Sequence, residues 1–238
     1  MADNETLNLA MLRDVARRLE PLLPRLAFLG GVVAELFFTE QTARPGRATS
    51  DVDVVIDLVR YGQYAETLRE ELVALGLEED TTEGAPRCRW RFIAAPRQIV
   101  DIMPTTGEVL GFSTKWYADA FRTAEPFQVP GGPVIRLVTP PYYLATKLAA
   151  FRDRGSRDPI ASHDLEDIIA VVDGRESLVG EIQASPTEVR AFIAAAWRDL
   201  LETGNVPALL EAHLAPDEAS QARADLILAR IEAMSRLG

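Results

Sequence analysis

The spacing of apolar positions changes several times along the chain, and each change marks an element. Leu9, Leu12, Val15, Ala16 and Leu19 recur at helical spacing over residues 5–20, and Pro21 and Pro24 end that helix. Residues 25–29 are short and apolar, as a strand is, and 32–39 predict a helix. A polar stretch over 41–50 contains the turn dipeptide Pro45-Gly46, and the next strand, 51–58, alternates acidic and apolar residues. A helix over 61–75 stops at Gly76, an acidic loop covers 78–85, and 87–94 and 98–103 form a strand pair around Ala95-Pro96-Arg97. Two short strands, 127–129 and 134–138, flank Pro130-Gly131-Gly132-Pro133. Pro140-Pro141 opens a helix reaching Arg154, with Leu144, Leu148 and Phe151 as its buried stripe and Tyr143, Lys147 and Arg154 on an adjacent face. Ser162 caps a helix over 163–172, whose stripe is Leu165, Ile168, Ile169 and Val172. The remainder predicts helices over 186–203, 206–214 and 216–237, without internal repeats.

Candidate chemistry gathers near the start of this pattern. Gly30 and Gly31 lie between the first strand and its helix, where two glycines permit a tight bend and leave the backbone amides open to a phosphate. Asp51 and Asp53 are two apart on a strand, so they project from one face while Val52, Val54 and Ile56 fill the other. Two carboxylates so placed repel unless a cation lies between them, and magnesium suits such oxygen donors. Each feature also has a plain reading, as a turn and as an exposed strand face. Asp101 interrupts the apolar run Ile99-Val100-Asp101-Ile102-Met103. It either faces solvent at a strand end before Pro104 or, if its strand lies beside the one carrying Asp51, completes a cluster of three carboxylates.

The totals narrow the classes. The 238 residues suffice for a substantial core, and 47% hydrophobic and 26% charged residues are ordinary for a globular chain. No apolar run approaches the roughly 20 residues that span a bilayer, and the N-terminus lacks the features of a signal peptide, so the expected location is the cytoplasm. The one cysteine, Cys88, excludes an internal disulfide and reads as a small strand residue. A net charge of −11 excludes a generic nucleic-acid binder, which needs clustered cations. Only Lys115 and Lys147 are lysines, so each merits inspection. His163-Asp164 does not make a metal phosphohydrolase, because His213 is the only other histidine, and no nucleophile elbow for a serine hydrolase is present.

The order strand, Gly30-Gly31, helix, then Asp51-Val52-Asp53 on the next strand resembles the nucleotidyltransferase superfamily typified by DNA polymerase beta. The 19 residues between Gly31 and Asp51 exceed what compact members carry, which makes the loop from Arg44 to Ser50 an insertion. The resemblance implies an α/β (α+β) fold: a polymerase-beta-like core with a mixed sheet over 1–138 and a helical C-terminal half over 139–238. A second resemblance rests on Lys147 followed by Asp164-Leu165-Glu166-Asp167, which is similar to the region after the core in AbiEii-like nucleotidyltransferases of toxin–antitoxin systems. By that resemblance Lys147 contacts the nucleotide triphosphate and Asp164 is the acidic residue beyond it; a solvated helix cation and a first-turn acid favoured by the helix dipole are the alternatives.

The implied reaction moves a nucleoside monophosphate from an NTP to an acceptor hydroxyl. Asp51, Asp53 and Asp101 hold two Mg²⁺ ions, about 3.5–4 Å apart as in other two-metal sites, and Asp101 takes the hydroxyl proton. Gly30, Gly31, Ser50, Lys147, Arg154 and Asp164 contact the nucleotide. The acceptor is tRNA in the toxin reading, with an antitoxin protein as partner. It is an aminoglycoside-type small molecule in a second reading, where Glu78, Glu79, Asp80 and Glu83 attract a polycation. A third reading is a non-catalytic member that binds nucleotide or a partner protein.

Overall fold

The computed structural model describes residues 6–40, 46–58, 67–85, 88–93, 96–106 and 114–238. Arg44, Pro45, Arg87, Ala94, Ala95 and the first part of the helix expected over 61–75 lie outside the described residues. The chain divides into two compact units, one made of residues 1–33 and 48–139 and the other of 34–47 and 140–238.

The first unit is built on a seven-stranded mixed sheet. Its strands are β1 (Leu26–Leu29), β2 (Asp51–Ile56), β3 (Leu77–Glu79), β4 (Arg89–Phe92), β5 (Ile99–Pro104), β6 (Glu125–Gln128) and β7 (Val134–Leu137), in the spatial order β3-β4-β5-β2-β1-β7-β6. The sheet is mixed because β2 pairs parallel to β5 and antiparallel to β1, while β1 pairs parallel to β7. All four residues of β1 are buried, as a central apolar strand requires. Helix α1 (Leu7–Arg18) begins where the Thr6 hydroxyl accepts from the Leu9 amide at 3.3 Å. Pro21 and Pro24 end the α-helix but continue as a 3-10 turn over Glu20–Arg25, because proline tolerates helical φ without an amide donor. The Arg18 guanidinium lies 4.6 Å from the Phe92 ring, on the face of β4 opposite Arg89.

Two stretches of this unit differ from the expectation, and a third agrees with it where it is described. Glu78 and Glu79, expected in a loop, form the edge strand β3, where charged side chains are at home; Arg91 pairs with Glu78 and Arg69 with Glu79. The helix expected over 61–75 has its described α-helical part at α2 (Arg69–Ala74), closed by Gly76 at φ +83°. An unassigned stretch forms α3 (Trp116–Thr123), whose two buried residues, Trp116 and Ala120, are too few to show a period. The Tyr117 hydroxyl on it donates to the Met103 sulfur at 2.9 Å.

The second unit is helical: α4 (Pro140–Ala150), a π-turn over Phe151–Gly155, α5 (His163–Gly174), α6 (Leu178–Ala184), α7 (Thr187–Glu202), α8 (Val206–His213), α9 (Glu218–Gln221) and α10 (Ala224–Ser235). Every residue of α4 from Pro141 to Leu148 is buried, because α5 and α7 both pack on it. Lys147 is therefore buried rather than solvated. Ser162 caps α5 through the Leu165 amide, and Leu165, Ile168, Ile169 and Val172 are all buried. The single helix expected over 216–237 is two. Asp217 caps the first, and at the junction Arg223 reaches out to Asp173 and Glu40.

Candidate active site

Strand register brings the acidic residues of the first unit together. In the parallel β2–β5 pair Asp53 stands beside Asp101, and in the antiparallel β4–β5 pair Arg89 stands beside Asp101 on its other side. Asp53, Asp101 and Arg89 thus form one row across three strands. Asp51, two residues from Asp53, projects from the same face. The expected cluster of three carboxylates on one face is present, and it contains a guanidinium that sequence reasoning missed.

That guanidinium is held closely. Arg89 Nε donates to Asp101 Oδ1 at 2.8 Å and Nη2 to Asp101 Oδ2 at 2.8 Å, a bidentate pair, while Nη2 also reaches Asp51 Oδ2 at 3.5 Å. The Thr49 hydroxyl donates to Asp51 Oδ1 at 2.8 Å. Hydrogen bonding to Asp101 holds the Arg89 pKa above its usual range. Next to it, Cys88 is buried; desolvation first, then the charges of Asp101 and Asp53, push its thiol up to about 12, which makes it an inert packing residue.

Gly30 has a specific structural reason to be glycine. Its φ is +78°, and a Cβ there would stand 1.9 Å from Asp53 Oδ2, so the bare Cα leaves room for that carboxylate. Gly30 therefore serves the carboxylate row directly. Gly31 begins a 3-10 helix over Gly31–Phe37 in place of the α-helix expected over 32–39, and Ser50 is exposed just ahead of Asp51.

The donor set suits a hard cation. Three carboxylates offer oxygen ligands, a Cβ-free position accommodates one of them, and a guanidinium stands in as the resident cation. Among the described residues, no three His, Cys, Asp or Glu side chains could hold a metal ion as they are arranged. Arg89 lies among these carboxylates, on both Asp101 oxygens and at 3.5 Å from Asp51.

Lys147, Arg154 and Asp164 come together in the second unit. Lys147 Nζ donates to Asp164 Oδ1 at 3.1 Å and to Asp167 Oδ2 at 2.7 Å. Arg154 forms a bidentate pair with Asp164 at 2.8 and 3.0 Å. Arg47 Nε lies 3.2 Å from Asp167 Oδ1 and 3.9 Å from Glu166 Oε2. Burial pushes the Asp164 carboxyl up, but the Arg154 and Lys147 contacts outweigh it and leave the pKa lowered.

No family model matches the sequence, and no curated protein matches it. Among solved structures, the chain is similar to the crystal structure of an antigenic nucleotidyltransferase-like protein from Paracoccidioides brasiliensis, with a TM-score of 0.51 and 18% identity. The match covers 86% of this chain and 92% of that chain. The fold is nucleotidyltransferase-like. On this nucleotidyltransferase-like fold, the sheet carries the Asp51, Asp53 and Asp101 face and the helical half carries Lys147. Among the described residues no helix is long and apolar enough to cross a membrane.

Arg89 and Arg47 are the members that sequence reasoning did not reach. Arg89 had a signal in the strand pair around Ala95-Pro96-Arg97, since a short hairpin fixes which residue faces Asp101. A one-residue change in the turn would have put a neighbour there instead. Arg47 had no signal, because its partners lie 120 positions away.

Proposed function

We propose that this chain is a divalent-metal-dependent nucleotidyltransferase that moves a nucleoside monophosphate from an NTP to an acceptor hydroxyl. The observation that carries this reading is the row Asp53–Asp101 with Asp51 on the same face and Gly30 cleared for Asp53. Asp51, Asp53 and Asp101 would hold Mg²⁺, two ions in this reading; bound there, Mg²⁺ supplies charge neutralisation for the triphosphate and acidifies the attacking hydroxyl.

The chain's own residues orient and transfer. Asp101 accepts the proton of the acceptor hydroxyl on a carboxylate oxygen, each of which accepts one Arg89 hydrogen bond and keeps a further lone pair. Gly30, Gly31 and Ser50 line the approach of the nucleotide. The finer, AbiEii-like reading gives Lys147 and Arg154 to the triphosphate, with Asp164 setting their position. Both cations already hold carboxylates, so contact with phosphate means exchanging one anion for another. In that reading the acceptor is tRNA, the chain acts in the cytoplasm and an antitoxin is its partner. The net charge of −11 favours the second reading, a small cationic acceptor of the aminoglycoside type, over a long RNA footprint.

The test is incubation of the purified protein with Mg²⁺ and each α-³²P-labelled NTP, with total tRNA and an aminoglycoside panel offered separately. Label on tRNA supports the toxin-like reading, and label on a drug supports the small-molecule reading. The absence of both transfer and Mg²⁺-dependent NTP binding would overturn the enzymatic reading and leave a non-catalytic member of the fold.

A further inference from the structure

We propose that Asn8 and Thr49 are positioning residues for the Asp51 carboxylate: Asn8 fixes the Thr49 backbone, and the Thr49 hydroxyl holds a carboxylate oxygen. The effect on turnover rests on the nucleotidyl-transfer reading above, whereas the tether rests on geometry. Asp51 lies at the leading end of β2, where the sheet supports it least. The antiparallel β1–β2 pairing ends at Leu29 and Asp53, where Gly30, at φ +78°, turns the chain. The parallel β2–β5 pairing begins at Asp51 and Ile99, so Thr49 precedes both ladders. Its backbone N–H needs an acceptor from elsewhere.

Asn8 supplies that acceptor. It stands in the first turn of α1, which packs on β2, and it is 2% exposed, so its amide is costly to bury without hydrogen bonds. Its Oδ1 accepts from the Thr49 N–H at 3.1 Å. The Thr49 hydroxyl in turn donates to Asp51 Oδ1 at 2.8 Å, while Arg89 Nη2 reaches Asp51 Oδ2 at 3.5 Å. Each Asp51 oxygen thus has its own neighbour, and Thr49, at the shorter distance, sets the rotation of the carboxylate. Helix α1, legible in sequence only as an amphipathic packing element, carries through Asn8 a polar link to the sheet face.

The experiment measures kcat, and KM for NTP, by label transfer in the full chain, for wild type, Thr49→Val, Thr49→Ser, Asn8→Leu and the double variant Asn8→Leu/Thr49→Val. Thr49→Val keeps the branched shape without the hydroxyl. It should lose about tenfold in kcat with KM within about twofold, the worth of one hydrogen bond to a charged group. Thr49→Ser restores the hydroxyl and should recover to within about threefold of wild type. Asn8→Leu should lose about threefold, and the double variant should be no worse than Thr49→Val, because Asn8 acts through Thr49. Losses that multiply in the double variant, or a Thr49→Val turnover equal to wild type, overturn the proposal.

Two measurements are independent of activity. In wild type the Thr49 amide should exchange with deuterium at least about a hundredfold more slowly than an unprotected amide. The Asp51 carboxyl ¹³C resonance, assigned by its loss in Asp51→Asn, should move in both Thr49→Val and Asn8→Leu. Unprotected exchange at Thr49, or an Asp51 resonance unmoved in Thr49→Val, overturns the tether, even if Asn8→Leu fails to fold. A wild type that transfers no label, with Thr49 protected and the Asp51 resonance responsive, overturns the nucleotidyl-transfer reading and supports the tether.

Discussion

The two ionic clusters of this protein use the same kinds of side chain toward different ends. On the sheet face, Arg89 holds Asp101 and reaches Asp51, Asp53 stands beside Asp101 in the row, and the Asp51 and Arg89 side chains are 24% and 25% exposed. In the helical unit, Asp164, Glu166 and Asp167 meet Lys147, Arg154 and Arg47, three against three. There the Lys147, Asp164 and Asp167 side chains keep only 10%, 7% and 3% of their exposure. Lys147, Asp164 and Asp167 satisfy one another in the interior and tie α4 to α5, while Arg154 and Glu166 sit at the exposed rim, at 70% and 38%. The sheet-face row is more open and sets carboxylates side by side, where a cation between them lowers their mutual repulsion. The difference separates a mostly sealed set of ion pairs from a more open row of carboxylates, although both read as scattered acids and bases in the sequence.

The sharpest way to break this comparison is to remove one cation from each cluster. Lys147→Met removes the buried cation shared by Asp164 and Asp167, leaving them Arg154 and Arg47, and should cost about 3 kcal/mol, the low end of the penalty for breaking a buried pair. Arg89→Gln acts on a part-exposed face and should cost about 1 kcal/mol. Urea denaturation of both variants checks the pair; equal costs would mean that the two clusters are not different in kind.

A second test sits at the glycines. Gly30→Ala puts a Cβ into the Asp53 carboxylate at a positive φ, whereas Gly76→Ala, at φ +83°, meets nothing within 4 Å. The Gly76 change should cost about 1–2 kcal/mol of backbone strain alone. The Gly30 change should cost more than about 3 kcal/mol, strain and overpacking together, with loss of Mg²⁺ binding that Gly76→Ala does not show. Thermal melts with and without Mg²⁺ separate the two.

Much of this contrast was legible before the structure, and the illegible part has a physical cause. The alternation Asp51-Val52-Asp53 and the burial cost of a charge at Asp101 were enough to suggest one acidic face, because strand periodicity is local. The Ser162 cap and the α5 stripe were legible for the same reason. Helix α3 was not, since eight residues with two buried positions leave no period to read. The sealed state of Lys147 was not legible either, because it depends on Asp164 and Asp167 arriving from a separate helix. Arg89 fell between these cases: its strand was visible, and its register was not.

Acid should affect the helical unit through its lowered carboxyls. Hydrogen bonds from Arg230 and Arg223 lower Glu40, and Arg154 and Lys147 lower Asp164 against its burial. Folded pKa values below the unfolded ones, about 4.3 for Glu and 3.9 for Asp, mean that these groups stabilise the fold fully above about pH 4.5 and lose that contribution as pH falls through the folded values. Urea midpoints should therefore be level from pH 7 to about pH 5 and decline below about pH 4. A midpoint that rises on acidification contradicts the assignment.

The smallest expected effect is chemical. With its thiol pushed up to about 12 by burial and by Asp101 and Asp53, Cys88 should react with a disulfide reagent at pH 8 only after unfolding. Prompt labelling of the native protein would show that the face beside it opens more than its burial implies.

The central claim, that the acidic face of the sheet performs metal-dependent nucleotidyl transfer, is tested most directly by comparing wild type with Asp53→Asn. The assay is label transfer from α-³²P-NTP with Mg²⁺, run beside thermal melts of both proteins. The account predicts a loss of at least about a hundredfold in turnover, with folding retained. An Asp53→Asn protein that transfers label at the wild-type rate would contradict it.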